Sequence, residues 1–137
     1  MIANKRRIGK VSIVVLEYDE AIDWYTSKLD FQLIEDTPLD DQSKKRWVTI
    51  APSADSSFQL LLAKASNTEQ QAVIGNQTGR RVFLFLYTDN FERDYESFKS
   101  KGVEFVRLPK KHPYGTVAVF KDLYGNLWDL IEPQTAQ

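Results

Sequence analysis

Along the first part of the chain the apolar positions change their spacing, and the change marks a boundary between elements. Val11, Ile13 and Val15 alternate with Lys10, Ser12 and Val14, the period of two expected of a β-strand with one covered face. From Asp19 the spacing becomes helical: Ala21, Ile22, Tyr25 and Leu29 form one apolar stripe. Asp19 is expected as N-cap, with Glu20 and Asp23 in the first turn, where the helix dipole favours anions. Three short strands should follow, Phe31 to Ile34, Arg46 to Ile50 and Phe58 to Leu62, which gives the order β-α-β-β-β.

The second half repeats this order. A strand is expected over Val82 to Tyr87, a helix from about Phe91 to Lys101, and strands around Phe105, from Thr116 to Phe120 and from Leu127 to Ile131. Asp89 and Glu92 have capping-box spacing, Phe91, Tyr95 and Phe98 form the buried stripe, and Gly102 supplies a stop. Asp122, Gly125 and Asn126 carry the turn chemistry of a tight corner between the last two strands. Residues also match across the halves at a period of 70 to 74: Val11 and Ile13 recur as Leu84 and Leu86, and Phe58-Gln59-Leu60-Leu61 as Trp128-Asp129-Leu130-Ile131. Such a period means two copies of one supersecondary unit, which should share a cavity because neither copy covers its own sheet.

The expectation is one α+β domain over residues 1–137, with module one at 8–63, a linker at 64–79 and module two at 80–133. The polar linker reads as a plain connection or as a flap over a site.

Composition narrows the function. With 42% hydrophobic and 27% charged residues the chain is an ordinary globular protein, and a net charge of −1 gives no footprint for nucleic acid or an anionic membrane. A small organic molecule is the expected partner. The absence of cysteine removes thiolate metal sites and cysteine nucleophiles and suits a cytoplasmic location, and the single histidine, His112, cannot build a two-imidazole site. Lys5-Arg6-Arg7 before the apolar run from Val11 to Leu16 has the order of a signal peptide, but the run is short and ends in Glu17, Asp19 and Glu20, so a buried strand is expected. No stretch approaches the roughly 20 apolar residues of a membrane span.

The opening segment Val15-Leu16-Glu17-Tyr18-Asp19-Glu20-Ala21-Ile22-Asp23-Trp24-Tyr25 and the closing segment Phe120-Lys121-Asp122-Leu123-Tyr124-Gly125-Asn126-Leu127-Trp128-Asp129-Leu130 give the chain its likeness. It resembles the vicinal-oxygen-chelate superfamily of glyoxalases, bleomycin-resistance proteins and extradiol dioxygenases, over roughly residues 8 to 133. The resemblance implies a cup-shaped mixed sheet with helices outside, and homodimers. It also implies four inward-facing ligand positions in members that use a metal. Here those positions fall on Lys10, Gln59, Phe83 and Asp129, of which only Gln59 and Asp129 can ligate. No cofactor is therefore expected, with a weakly held divalent metal on Gln59 and Asp129 as the alternative.

The same residues suit a site without metal. Lys10 and Asp129, facing each other, would form an ion pair or a polar anchor, and Asp129 becomes a candidate general base or a structural carboxylate. Phe83, Phe85 and Tyr87 share a face with Lys10 and Ser12 by module equivalence and would give the cavity an aromatic wall. His112 and Tyr114 lie in Pro109–Gly115, expected as a loop reaching over the cavity, with His112 as a proton donor or a solvent-exposed loop residue. Two functions follow: a binding protein for a small organic molecule, or a lyase, isomerase or dioxygenase working through Asp129 and Gln59.

Overall fold

The computed structural model describes residues 5–134. The chain divides into two compact units, residues 1–64 and 65–137, so the second copy of the repeat carries the linker with it.

The first unit is built from β1 (Lys10–Val15), α1 (Tyr18–Lys28), β2 (Gln32–Pro38), β3 (Arg46–Ala51) and β4 (Gln59–Lys64). Its sheet has the order β1-β4-β3-β2. β1 and β4 run parallel, with Lys10 opposite Gln59 and Ser12 opposite Leu61, while β3 is antiparallel to both of its neighbours. Ile13, Leu60, Leu62, Val48 and Ile50 are buried, as are Ala21, Tyr25 and Leu29 of the helical stripe. The helix begins two residues earlier than expected. Glu17 occupies the N-cap without a capping side-chain bond, its carboxylate pairing instead with Lys64 at 3.1 Å, and Asp19 lies inside the first turn, where its carboxylate accepts from Arg46 Nη2 at 2.9 Å. That guanidinium also spans to Asp36, holding the Asp36 carboxyl below its ordinary value.

The second unit contains a short helix α2 (Thr68–Ala72), then β5 (Val82–Tyr87), α3 (Phe91–Ser100), β6 (Phe105–His112), β7 (Gly115–Lys121) and β8 (Leu127–Pro133). The sheet order β5-β8-β7-β6 repeats that of the first unit, strand for strand. Two four-stranded mixed sheets, each from one β-α-β-β-β module, make this an α+β protein of the expected kind. Phe98 and Tyr95 of α3 pack edge-on against Phe120 and Phe105, and Trp128 stacks on Phe120 at 5.7 Å, so these rings define the helix side of the sheet. The cap of α3 is Asn90, whose side chain accepts from Arg93 N, and Asp89 instead pairs with the Arg93 side chain. The polar segment ahead of β5 packs on the β7–β8 turn: Gln77 N donates to Asn126 Oδ1, and a Cβ at Gly75 (φ +79°) would meet Tyr124 O at 2.0 Å. It is part of the second unit's structure.

The β7–β8 turn is organised by one carboxylate. Asp122, 5% exposed, accepts from the backbone N–H groups of Tyr124, Gly125 and Asn126, from Asn126 Nδ2 and from Trp128 Nε1. Gly125, at φ +105°, gives the corner a conformation that side chains rarely adopt. The hairpin therefore hands Leu127, Trp128 and Asp129 to β8 in a fixed register.

Candidate functional site

The alternation of β8 places Trp128 and Leu130 against α3 and turns Asp129 and Ile131 to the other face. On that face, open at Phe85 and Tyr87 but covered at Val119 and Ile131, Asp129 stands between Phe85 of β5 and Val119 of β7, and Val119 is opposite Arg107 of β6. The next row holds Tyr87, Ile131, Val117 and Lys110. Phe85 and Tyr87 are 57% and 61% exposed, so two aromatic rings stand open beside a half-buried carboxylate. Burial pushes the Asp129 carboxyl above its ordinary value, and the positive charge of Arg107 opposes that push. One strand, β7, separates them, so their backbones stand two strand spacings or about 10 Å apart, a span that a long guanidinium arm can shorten.

The register of β5 departs from simple alternation at Phe83. Phe83, expected on one face with Phe85 and Tyr87 by module equivalence, is left without a register partner at a bulge where Val82 pairs with Leu127 and Leu84 with Trp128, and Phe85 stands beside the carboxylate. A second bulge, between Phe105 and Arg107, explains why Arg107 escaped the sequence reading. Simple alternation would put Arg107 on the face of Phe105, under the helix. The extra residue turns it over to the open face.

In the first unit the equivalent face carries Lys10 and Ser12, both exposed, and the half-buried Gln59 opposite Lys10. Thr49, opposite Leu61 on that face, is fully buried, and its hydroxyl has no hydrogen-bond partner among the described residues. The charge that acts on Asp129 is that of Arg107.

His112 and Tyr114 occupy a different place. The segment expected as a loop is largely strand: β6 continues to His112, which pairs with Gly115, and only Pro113 and Tyr114 make the turn. Pro109 is tolerated because β6 is an edge strand and its register shifts between Arg107 and Lys110. His112 stacks on Tyr114 with ring centres 4.8 Å apart. It belongs to the row of Pro133, four residues beyond Asp129 on β8 and so about 13 Å away. The two candidate proton carriers are not brought together.

A divalent metal does not fit the donor set of these faces. Lys10 stands beside Gln59 and Phe85 beside Asp129, and neither Lys nor Phe supplies a ligand in its ordinary state. Among the described residues no group of three or more His, Cys, Asp and Glu is placed to hold a metal ion. A transition-metal centre normally needs three or four such ligands.

The sheet order repeated in two units, the β-α-β-β-β succession and an acidic residue in the strand after a Gly-containing hairpin define a two-module α+β protein. The chain belongs to the Glyoxalase/Bleomycin resistance protein/Dioxygenase superfamily, whose profile matches residues 7–130. It is 56% identical over 128 residues to an uncharacterized protein of Shewanella frigidimarina (strain NCIMB 400), covering 93% of this chain and 94% of the relative. Among solved structures it is similar to UcmS2 (TM-score 0.80, 32% identity, 93% of this chain and 98% of the other). It is also similar to TnmS3, an antibiotic binding protein from Streptomyces sp. CB03234 (TM-score 0.76, 25% identity, 97% and 100%).

Proposed function

We propose that the protein binds a flat, amphipathic organic molecule without a metal, on the open face of its second sheet. The observation that carries this reading is the pair of exposed rings, Phe85 and Tyr87, on the same face as the desolvated Asp129 carboxylate and Arg107. Exposed rings offer stacking area with little side-chain entropy to lose, and the two charged groups fix the orientation of a polar substituent. The likeness to an antibiotic binding protein supports a ligand of this class. The reading includes a cytoplasmic homodimer.

The test is calorimetric titration of chelator-treated protein with planar aromatic amphiphiles, on the wild type and on Phe85→Ala and Tyr87→Ala. Saturable binding should weaken about tenfold in each variant, as expected when a stacking partner worth about 1 to 1.5 kcal/mol is lost. Binding that requires added divalent metal would overturn the reading.

One observation favours a second reading, catalysis on the same face. A carboxylate pushed upward by burial is a better proton acceptor than an ordinary one, so Asp129 suits a general base in a lyase or isomerase step. Asp129→Asn separates the two: catalysis requires that turnover vanish while the ligand still binds, whereas a pure binding protein shows no turnover to lose.

A further inference from the structure

The second unit has a concavity away from the Asp129 row. The segment before β5 and the β7–β8 turn enclose a cleft of about 370 Å³, at the small end of the range for ligand pockets. Its walls are fixed by the packing of Gly75 on Tyr124 O, by the bond from Gln77 N to Asn126 and by that from Thr78 Oγ1 to Arg81 O at 2.5 Å. Arg80, Arg81 and Lys121 line it together with Asn76, Leu127 and the buried Asn126, and no acidic residue is among its lining.

Three cations at one cleft repel one another unless an anion joins them. Among the described residues neither Arg80 nor Arg81 makes an ion pair, and Lys121 reaches only Glu104, at 3.9 Å in an exposed pair. Asp122, next in sequence to Lys121, has its carboxylate occupied by the donors of its own turn. Arg80 also holds φ at +74°, a left-handed conformation that a residue with a Cβ adopts at a cost. The charge is thus carried to the cleft by a strained backbone.

We infer that this cleft is a binding site for a phosphate dianion, either free or as the monoester of a small organic group. Two planar guanidiniums match phosphate oxygens in forked pairs, and a third cation suits a dianion better than a carboxylate. Leu127 gives the carbon part of an ester an apolar contact. The site stands apart from the open-face reading and does not depend on it.

The test is titration of the full chain with inorganic phosphate and, separately, with phenyl phosphate, at constant ionic strength, followed by amide NMR. Saturable shifts confined to residues 75–81 and 121–127 are expected, with about tenfold weaker binding in Arg81→Gln and in Lys121→Gln. Tighter binding of one probe than the other identifies the free anion or the ester as the ligand; either supports the site. Arg80→Gly should raise the melting temperature of the anion-free protein while weakening its response to phosphate. Shifts that never saturate, that centre on Lys110 and Lys111, or that persist unchanged in folded Arg81→Gln would overturn the inference.

Discussion

Asp129 has a folded-state carboxyl raised above its unfolded value, so the native chain binds that proton more tightly than the unfolded chain does. The stabilising contribution is complete below the unfolded value near 3.9 and is lost as pH rises through the folded value. Asp129→Asn should therefore match the wild type in acid and exceed it in urea resistance near neutral pH, the gap opening as pH climbs. The Asp36 carboxyl, lowered by Arg46, acts in the opposite direction at lower pH, and it cancels in the comparison because both proteins carry it. Thr49 makes the reverse case to most buried polar groups. Its hydroxyl is buried without a partner, so Thr49→Val should stabilise by about 1 kcal/mol, seen as a higher urea midpoint at unchanged slope.

The strands show what sequence periodicity can and cannot reveal. The two modules, the helix stripes and the face of Phe85, Tyr87 and Asp129 were legible because each rests on unbroken alternation or helical spacing. Where a strand takes an extra residue, alternation misassigns the face, and that is how Phe83 was grouped with Phe85 and Tyr87 and Arg107 was missed. Strand length failed at β6, because Pro109 and the two lysines suggest a loop although an edge strand accepts all three. The β7–β8 hairpin was legible as a turn but not as a network around one carboxylate. Asp122→Ala should remove the carboxylate that accepts from the buried Trp128 Nε1 and Asn126 Nδ2, at a cost of about 3 kcal/mol and roughly 10 °C in melting temperature.

Taken as one chain, the protein is a repeat whose two copies have diverged in chemistry while keeping one strand order. The first copy presents Lys10, Ser12 and Gln59 on its open face, and the second presents aromatic rings, Asp129 and Arg107. Superfamily membership sets the scaffold and not the reaction, so function is argued from these side chains. On the proposed reading their donor set takes an amphipathic ligand rather than a metal ion. The most direct measurement is amide NMR of chelator-treated protein titrated with a planar aromatic amphiphile. Saturable shifts centred on Phe85, Tyr87 and Asp129 are the expected result; shifts that need added metal, or that centre on His112 and Tyr114, would contradict it.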